Sequence, residues 1–210
     1  MPSSSTRPAM RRGSISFAAS VRWLHIYVSL LSFTALVFFG VTGITLNHPD
    51  WFAADSQRVV EHEGKLQPEW LKIQSETDSS VAKLEIVEYL RTTHGFRGAV
   101  AEFRVDPQEC LVLFKGPGYS ADVIIDCQAS TYRATETMMG LVAVLNDFHK
   151  GRDTGPAWSV LIDLVSLLTV FVSVTGLILI LYIRRKRITG IVTTLVGTLI
   201  VLVVAIWLVH

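Results

Sequence analysis

The sequence predicts an α-helical membrane protein with three transmembrane helices and a small α+β domain inserted between the first two. Three observations carry this. Residues 23–46, 158–183 and 188–209 are long apolar runs. Basic residues flank them on one side only: Arg7, Arg11, Arg12 and Arg22 before the first run, and Arg184-Arg185-Lys186-Arg187 between the second and third. The polar stretch 47–157 changes from helical to β-like apolar spacing.

A helix rises about 1.5 Å per residue and a bilayer's hydrocarbon core is about 30 Å thick, so about 20 apolar residues cross it. All three runs meet that length. Lysine and arginine near the ends of spans mark the cytoplasmic side. Residues 1–22 are therefore a cytoplasmic tail and 184–187 a cytoplasmic loop, while 47–157 and the end of the chain lie outside. The first run is too long for the core of a signal peptide, and Asn47-His48-Pro49 is no small-residue cleavage site, so the run is an anchor. Ser3-Ser4-Ser5-Thr6 reads as a disordered start. A net charge of +1 argues against nucleic acid as a partner. The lipid bilayer is the partner that all readings share.

Within the inserted domain, Asp78-Ser79-Ser80 offers a helix N-cap. Val81, Leu84, Val87 and Leu90 follow at helical spacing, with Gly95 placed to end the helix. β-like runs come next at 99–105, 110–114 and 121–125, the last two around the turn signal Lys115-Gly116-Pro117-Gly118-Tyr119. A fourth strand is expected at 131–135 and a second helix at 138–148.

This helix-then-strands order resembles a PepSY domain. The flanking motifs extend the likeness: Arg22-Trp23-Leu24-His25 opens the first run, and Val41-Thr42-Gly43, Leu46-Asn47-His48-Pro49 and Trp51-Phe52 close it. Asn146-Asp147-Phe148-His149-Lys150-Gly151-Arg152-Asp153 precedes the second run, which contains Val174-Thr175-Gly176. Over residues 20–187 the chain resembles the PepSY-associated transmembrane family of bacterial inner-membrane proteins. Some larger members are linked to ferric-siderophore reduction with haem b on membrane histidines. The resemblance therefore implies an inner-membrane location, haem b, an electron-transfer role in an iron-handling or respiratory assembly, and kinship to reductase subunits. This chain is shorter and has three spans where the reductase-like members have at least four.

Bis-histidine haem needs two imidazoles, each oriented through its other ring nitrogen. His48 and His149 are the expected pair, since antiparallel spans put both near the outer leaflet. Lys150 and Arg152 are placed to meet propionates, and Asp163 to orient a ligand from the second run. The alternative is that both histidines cap helix ends at the interface and that Asp163 bonds another helix. His25 lies 23 residues before His48, about 34 Å along a helix. It is either a ligand near the other face, completed by a homodimer partner or accessory chain, or a packing partner of Trp23 and Tyr27. His210 is a weak ligand candidate, and His62 and His94 read as surface residues.

Gly40 and Gly43 give the first run a small face for a helix or a flat porphyrin. Cys110 and Cys127 face an oxidising compartment in this topology, where they form a disulfide or remain two separate small residues. There is no Cys-x-x-Cys-His, P-loop, nucleophile elbow or dinucleotide fingerprint, so the chain alone takes no hydride from a nicotinamide. Two functions follow: a haem b electron-transfer component with a redox partner, or a non-enzymatic tethered module that binds or regulates an extracytoplasmic protein.

Overall fold

The computed structural model describes residues 17–52, 56–71 and 81–208. In chain order the elements are α1 (Phe17–Asn47), β1 (Gln57–Lys65), α2 (Lys83–His94), β2 (Ala99–Val105), β3 (Glu109–Gly116), β4 (Tyr119–Asp126), β5 (Thr131–Met139), α3 (Leu141–Lys150), α4 (Pro156–Tyr182) and α5 (Arg187–Trp207). Short 3-10 turns lie at Pro49–Phe52 and Pro68–Leu71. Helices α1, α4 and α5 are each long and apolar enough to cross a membrane. The chain divides into two compact units, Met1–Leu36 with Val165–His210, and Val37–Leu164.

The first unit holds the start of α1, the greater part of α4, and α5. Its apolar side chains are largely exposed, Leu30, Leu31, Leu167 and Leu199 among them, as a lipid-facing surface requires. The buried positions on α1 and α4 here are Val21, Ser32 and Thr175. Ser32 returns its hydroxyl to the Val28 carbonyl at 2.9 Å, so a hydroxyl sits on an apolar helix without an unmet proton. Arg187 Nε donates to the Leu181 carbonyl at 2.8 Å, satisfying a C-terminal acceptor of α4 at the turn into α5.

The second unit contains a five-stranded antiparallel sheet in the order β1-β5-β4-β3-β2. Its core face follows from strand alternation: Cys110, Val112 and Phe114 pair with Ile125, Val123 and Ala121, and the row continues through Tyr132, Ala134 and Glu136 on β5. Ile86 and Leu90 of α2 join this face, and both are fully buried. Each such aliphatic side chain contributes roughly 1.5–3 kcal/mol by leaving water. Gly95 ends α2 in the left-handed conformation, its N–H donating to the Arg91 carbonyl at 2.8 Å.

Three sequence expectations change here. Strand β1 at Gln57–Lys65 was not foreseen: its sequence, QRVVEHEGK, is polar on both faces, and pairing with β5 along an edge makes it a strand. The fourth strand runs on to Met139, so the following helix begins at Leu141 and not at 138. Ala82 is the N-cap position of α2 and makes no side-chain cap; the cap expected at Asp78-Ser79-Ser80 lies outside the described residues, as do Arg7, Arg11, Arg12 and His210.

The hairpin and α3 are joined in a way that matters for the site. Gly118, at φ +63°, completes the β3–β4 turn, and its N–H donates to Asp147 Oδ2 at 2.8 Å. Gly151 closes α3 in the left-handed conformation, and Trp158 Nε1 donates to the Phe148 carbonyl at 2.7 Å. These contacts fix the last turn of α3, which carries His149.

Candidate functional site

In the second unit, His149 reaches from α3 to the neighbouring stretch of α1. Its Nδ1 lies 2.6 Å from Thr42 Oγ1. A Cβ placed on Gly43 would stand 3.6 Å from its Cε1, an ordinary contact distance, so the ring lies close against the helix at this glycine. Phe39 packs edge-on to the imidazole with centroids 5.2 Å apart. One turn on, the Thr45 hydroxyl donates to Asn146 Oδ1 at 2.7 Å, and both residues are buried.

In the first unit, His25 of α1 makes the same contact with α4. Its Nδ1 is 2.8 Å from Thr175 Oγ1, and a Cβ on Gly176 would come within 3.3 Å of its Cε1. Gly176 also lines a groove of about 400 Å³ with Ser173, Leu177, Gly190 and Thr194. The Trp23 and Tyr27 rings lie against each other at 4.9 Å, and His25 turns to the threonine.

The neighbouring helix carbonyls offer each threonine proton an acceptor other than the imidazole. A threonine hydroxyl has one proton. Thr42 directs it to the Phe38 carbonyl at 2.7 Å, and Thr175 to the Phe171 carbonyl at 2.9 Å. With the proton so placed, each Oγ1 accepts Nδ1–H and the lone pair is left on Nε2; with the proton on the imidazole side the roles reverse. Among the described residues neither Nε2 has a hydrogen-bond partner, and neither is sealed from the surface. A neutral imidazole held through Nδ1–H with a free Nε2 is the form that ligates a metal.

The sequence expectation placed different residues here. His48 is not joined to His149 by any hydrogen bond or ring contact among the described residues. Its ring stacks on Trp51 at 3.8 Å and 6°, with Asn47 Nδ2 at 3.3 Å from Nε2. His48 follows Thr42 by six residues, about 240° around a helix, which takes it off the face that receives His149. Asp163 is exposed and makes no hydrogen bond or ion pair among the described residues; the residue at His149 Nδ1 is Thr42. Lys150 and Arg152 are exposed without ion pairs among the described residues, and Gly40 has open space above it. Among the described residues no group of three or more His, Cys, Asp or Glu gathers as for a metal ion.

A family model for PepSY_TM-like proteins matches residues 19–210. The chain belongs to that family. No curated protein and no solved structure matches it. The matched stretch of this PepSY_TM-like chain includes both histidines and both Val-Thr-Gly tripeptides. Those tripeptides, at 41–43 and 174–176, were the legible signal for the contacts: each supplies the acceptor and the bare surface for one imidazole.

A second histidine cluster lies inside the inserted domain, where His62 and His94 had been read as surface residues. His62 faces the core because its strand pairs it with Ala134. Its Nε2 is 3.2 Å from Glu136 Oε2, while the Tyr119 hydroxyl donates to Glu136 Oε1 at 3.0 Å. His94, at the end of α2, places Nε2 2.7 Å from the Tyr132 hydroxyl and its ring 4.5 Å from that of His62. Burial, then the nearby His62, lowers the His94 pKa, against a smaller opposing pull from Glu136. Burial pushes the Tyr119 and Tyr132 hydroxyls up to about 12.

Proposed function

We propose that this PepSY_TM-like chain is a haem b-binding electron-transfer component of the bacterial inner membrane, with His25 and His149 as its axial imidazoles. The carrying observation is the shared arrangement at the two histidines: Nδ1 against a threonine hydroxyl, glycine beside the ring, and no hydrogen-bond partner at Nε2 among the described residues. Haem iron, when bound, supplies the one-electron chemistry. The chain's own residues would orient each ligand ring through the contacts of Nδ1 with Thr42 and Thr175. Lys150 and Arg152, exposed near His149, fit acidic propionates. Each unit offers one such threonine-held histidine among its described residues. The basic flanks of the spans support an orientation with the inserted domain outside the cytoplasm.

The second reading is a tethered module that binds an extracytoplasmic protein. It is favoured by a shallow concavity of about 640 Å³ on the domain, lined by Glu63, Lys65, Ile124, Asp126 and Arg133 among others. In that reading the two His–Thr contacts serve helix packing alone.

A visible spectrum of the purified full chain, oxidised and then dithionite-reduced, separates the two. The first reading expects a Soret band and a b-type α band on reduction, weakened by His25→Ala and by His149→Ala and retained in His62→Ala. A chain from haem-replete cells with no Soret band sinks it and leaves the binding module.

A further inference from the structure

We infer that Cys110 and Cys127 form an intramolecular disulfide that staples the open end of the β3–β4 hairpin. The inference rests on the location of the inserted domain outside the cytoplasm, and is otherwise independent of haem.

The geometry carries it. Cys110 pairs with Ile125 across the two strands, and Cys127 lies just beyond the end of β4, its N–H donating to the Gln108 carbonyl at 3.0 Å. The two Sγ atoms are 3.2 Å apart as thiols. Closing to a bond of about 2.05 Å needs a side-chain adjustment of about one ångström and no change of strand register. The surrounding backbone is already set: Asp126 Oδ1 accepts from the N–H groups of Gln128 and Ala129, both at 2.8 Å, which holds the turn that follows Cys127. Cys110 is fully buried and Cys127 half-buried. They are the only cysteines of the chain, so no alternative intramolecular pairing competes.

The two thiols differ in reactivity. Burial, and then the bond to Cys127, pushes the Cys110 thiol up to about 12. Cys127 is therefore the entry point. Its thiolate attacks the disulfide of an extracytoplasmic thiol–disulfide oxidant, forming a mixed disulfide and releasing one oxidant thiol. Cys110 attacks the Cys127 sulfur, and its proton passes to the departing oxidant sulfur. The mixed bond breaks and the second oxidant thiol leaves. Two cysteines are oxidised and one oxidant disulfide is reduced to a dithiol. The burial that slows the second step also shields the finished bond from reductants, which makes it a structural staple and not a reversible switch.

The test uses the full chain in its membrane. Cells are quenched in acid, the chain is denatured, and a maleimide is added with or without prior reduction. The expected result is loss of labelling without reductant and labelling of both cysteines after it. In parallel, Glu85→Cys in a Cys110→Ser/Cys127→Ser background is exposed to a membrane-impermeant maleimide on intact cells; residue 85 is exposed on α2. External labelling at 85 together with free native thiols overturns the disulfide alone. No external labelling at 85 overturns the location and the disulfide with it.

Discussion

Replacing Thr42 with valine keeps the shape of the side chain and removes the acceptor that fixes His149. Thr42 is 2% exposed, so water does not readily take its place. The Phe38 carbonyl keeps its helical backbone partner, whereas Nδ1–H of His149 loses the contact at 2.6 Å. An orphaned, partly buried donor costs at most about 1–3 kcal/mol. Converted at about 1.4 kcal/mol per tenfold, this is on the order of tenfold to hundredfold, the range typical for loss of a group that orients a metal-bound histidine. Thr175→Val applies the same change to His25. The assay is titration of haem-depleted full chain in detergent, followed at the Soret band. Thr193→Val is the control, because Thr193 is exposed on α5 and bonds only its own Thr189 carbonyl at 2.9 Å. Thr42→Val and Thr175→Val should each weaken one site by about tenfold or more while the control does not. If all three variants take up haem as the unaltered chain does, threonine does not hold a ligand and the reasoning fails.

Three further outcomes are expected. Gly176→Ala should displace His25, whose Cε1 would stand 3.3 Å from the new methyl, whereas Gly43→Ala should be accommodated with 3.6 Å to His149; equal loss of thermal stability in detergent would contradict the difference. Leu90→Ala, at a fully buried position between α2 and the sheet, should destabilise the inserted domain by about 2–5 kcal/mol, read from denaturant melts or resistance to proteolysis. Acid should weaken the same domain: the folded His94 pKa lies below its unfolded value of about 6.5, so the unfolded chain binds the proton more readily, and stability falls as pH drops below about 6.5. His62, Glu136 and Tyr132 face His94 there, and His94→Gln should flatten the melting-temperature difference between about pH 7.5 and about pH 5; an unchanged slope would show that His94 is not the sensor.

The sequence by itself determined the three apolar helices, the inserted α+β domain and most strands of its sheet. These follow from run length and from the spacing of apolar residues, which are local properties. Helix α2 ends at Gly95 and the hairpin turns at Gly118 because each position requires a positive φ that glycine adopts at little cost. Tertiary structure decided what local pattern does not encode. Strand β1 is polar on both faces and exists through its pairing with β5. His62 turns to the core face, half-buried, because that register places it beside Ala134 and near Glu136. The two Val-Thr-Gly tripeptides looked like helix-packing surfaces in one dimension. Only the fold showed that each gives an acceptor oxygen and a bare glycine face to a histidine more than one hundred positions away, 107 for Thr42 and His149 and 150 for His25 and Thr175. Depth along a helix suggested His48 as the partner of His149; the fold shows the His48 ring on Trp51 and His149 on Thr42, because a side chain's direction turns by about 100° with each residue while its depth changes by only about 1.5 Å.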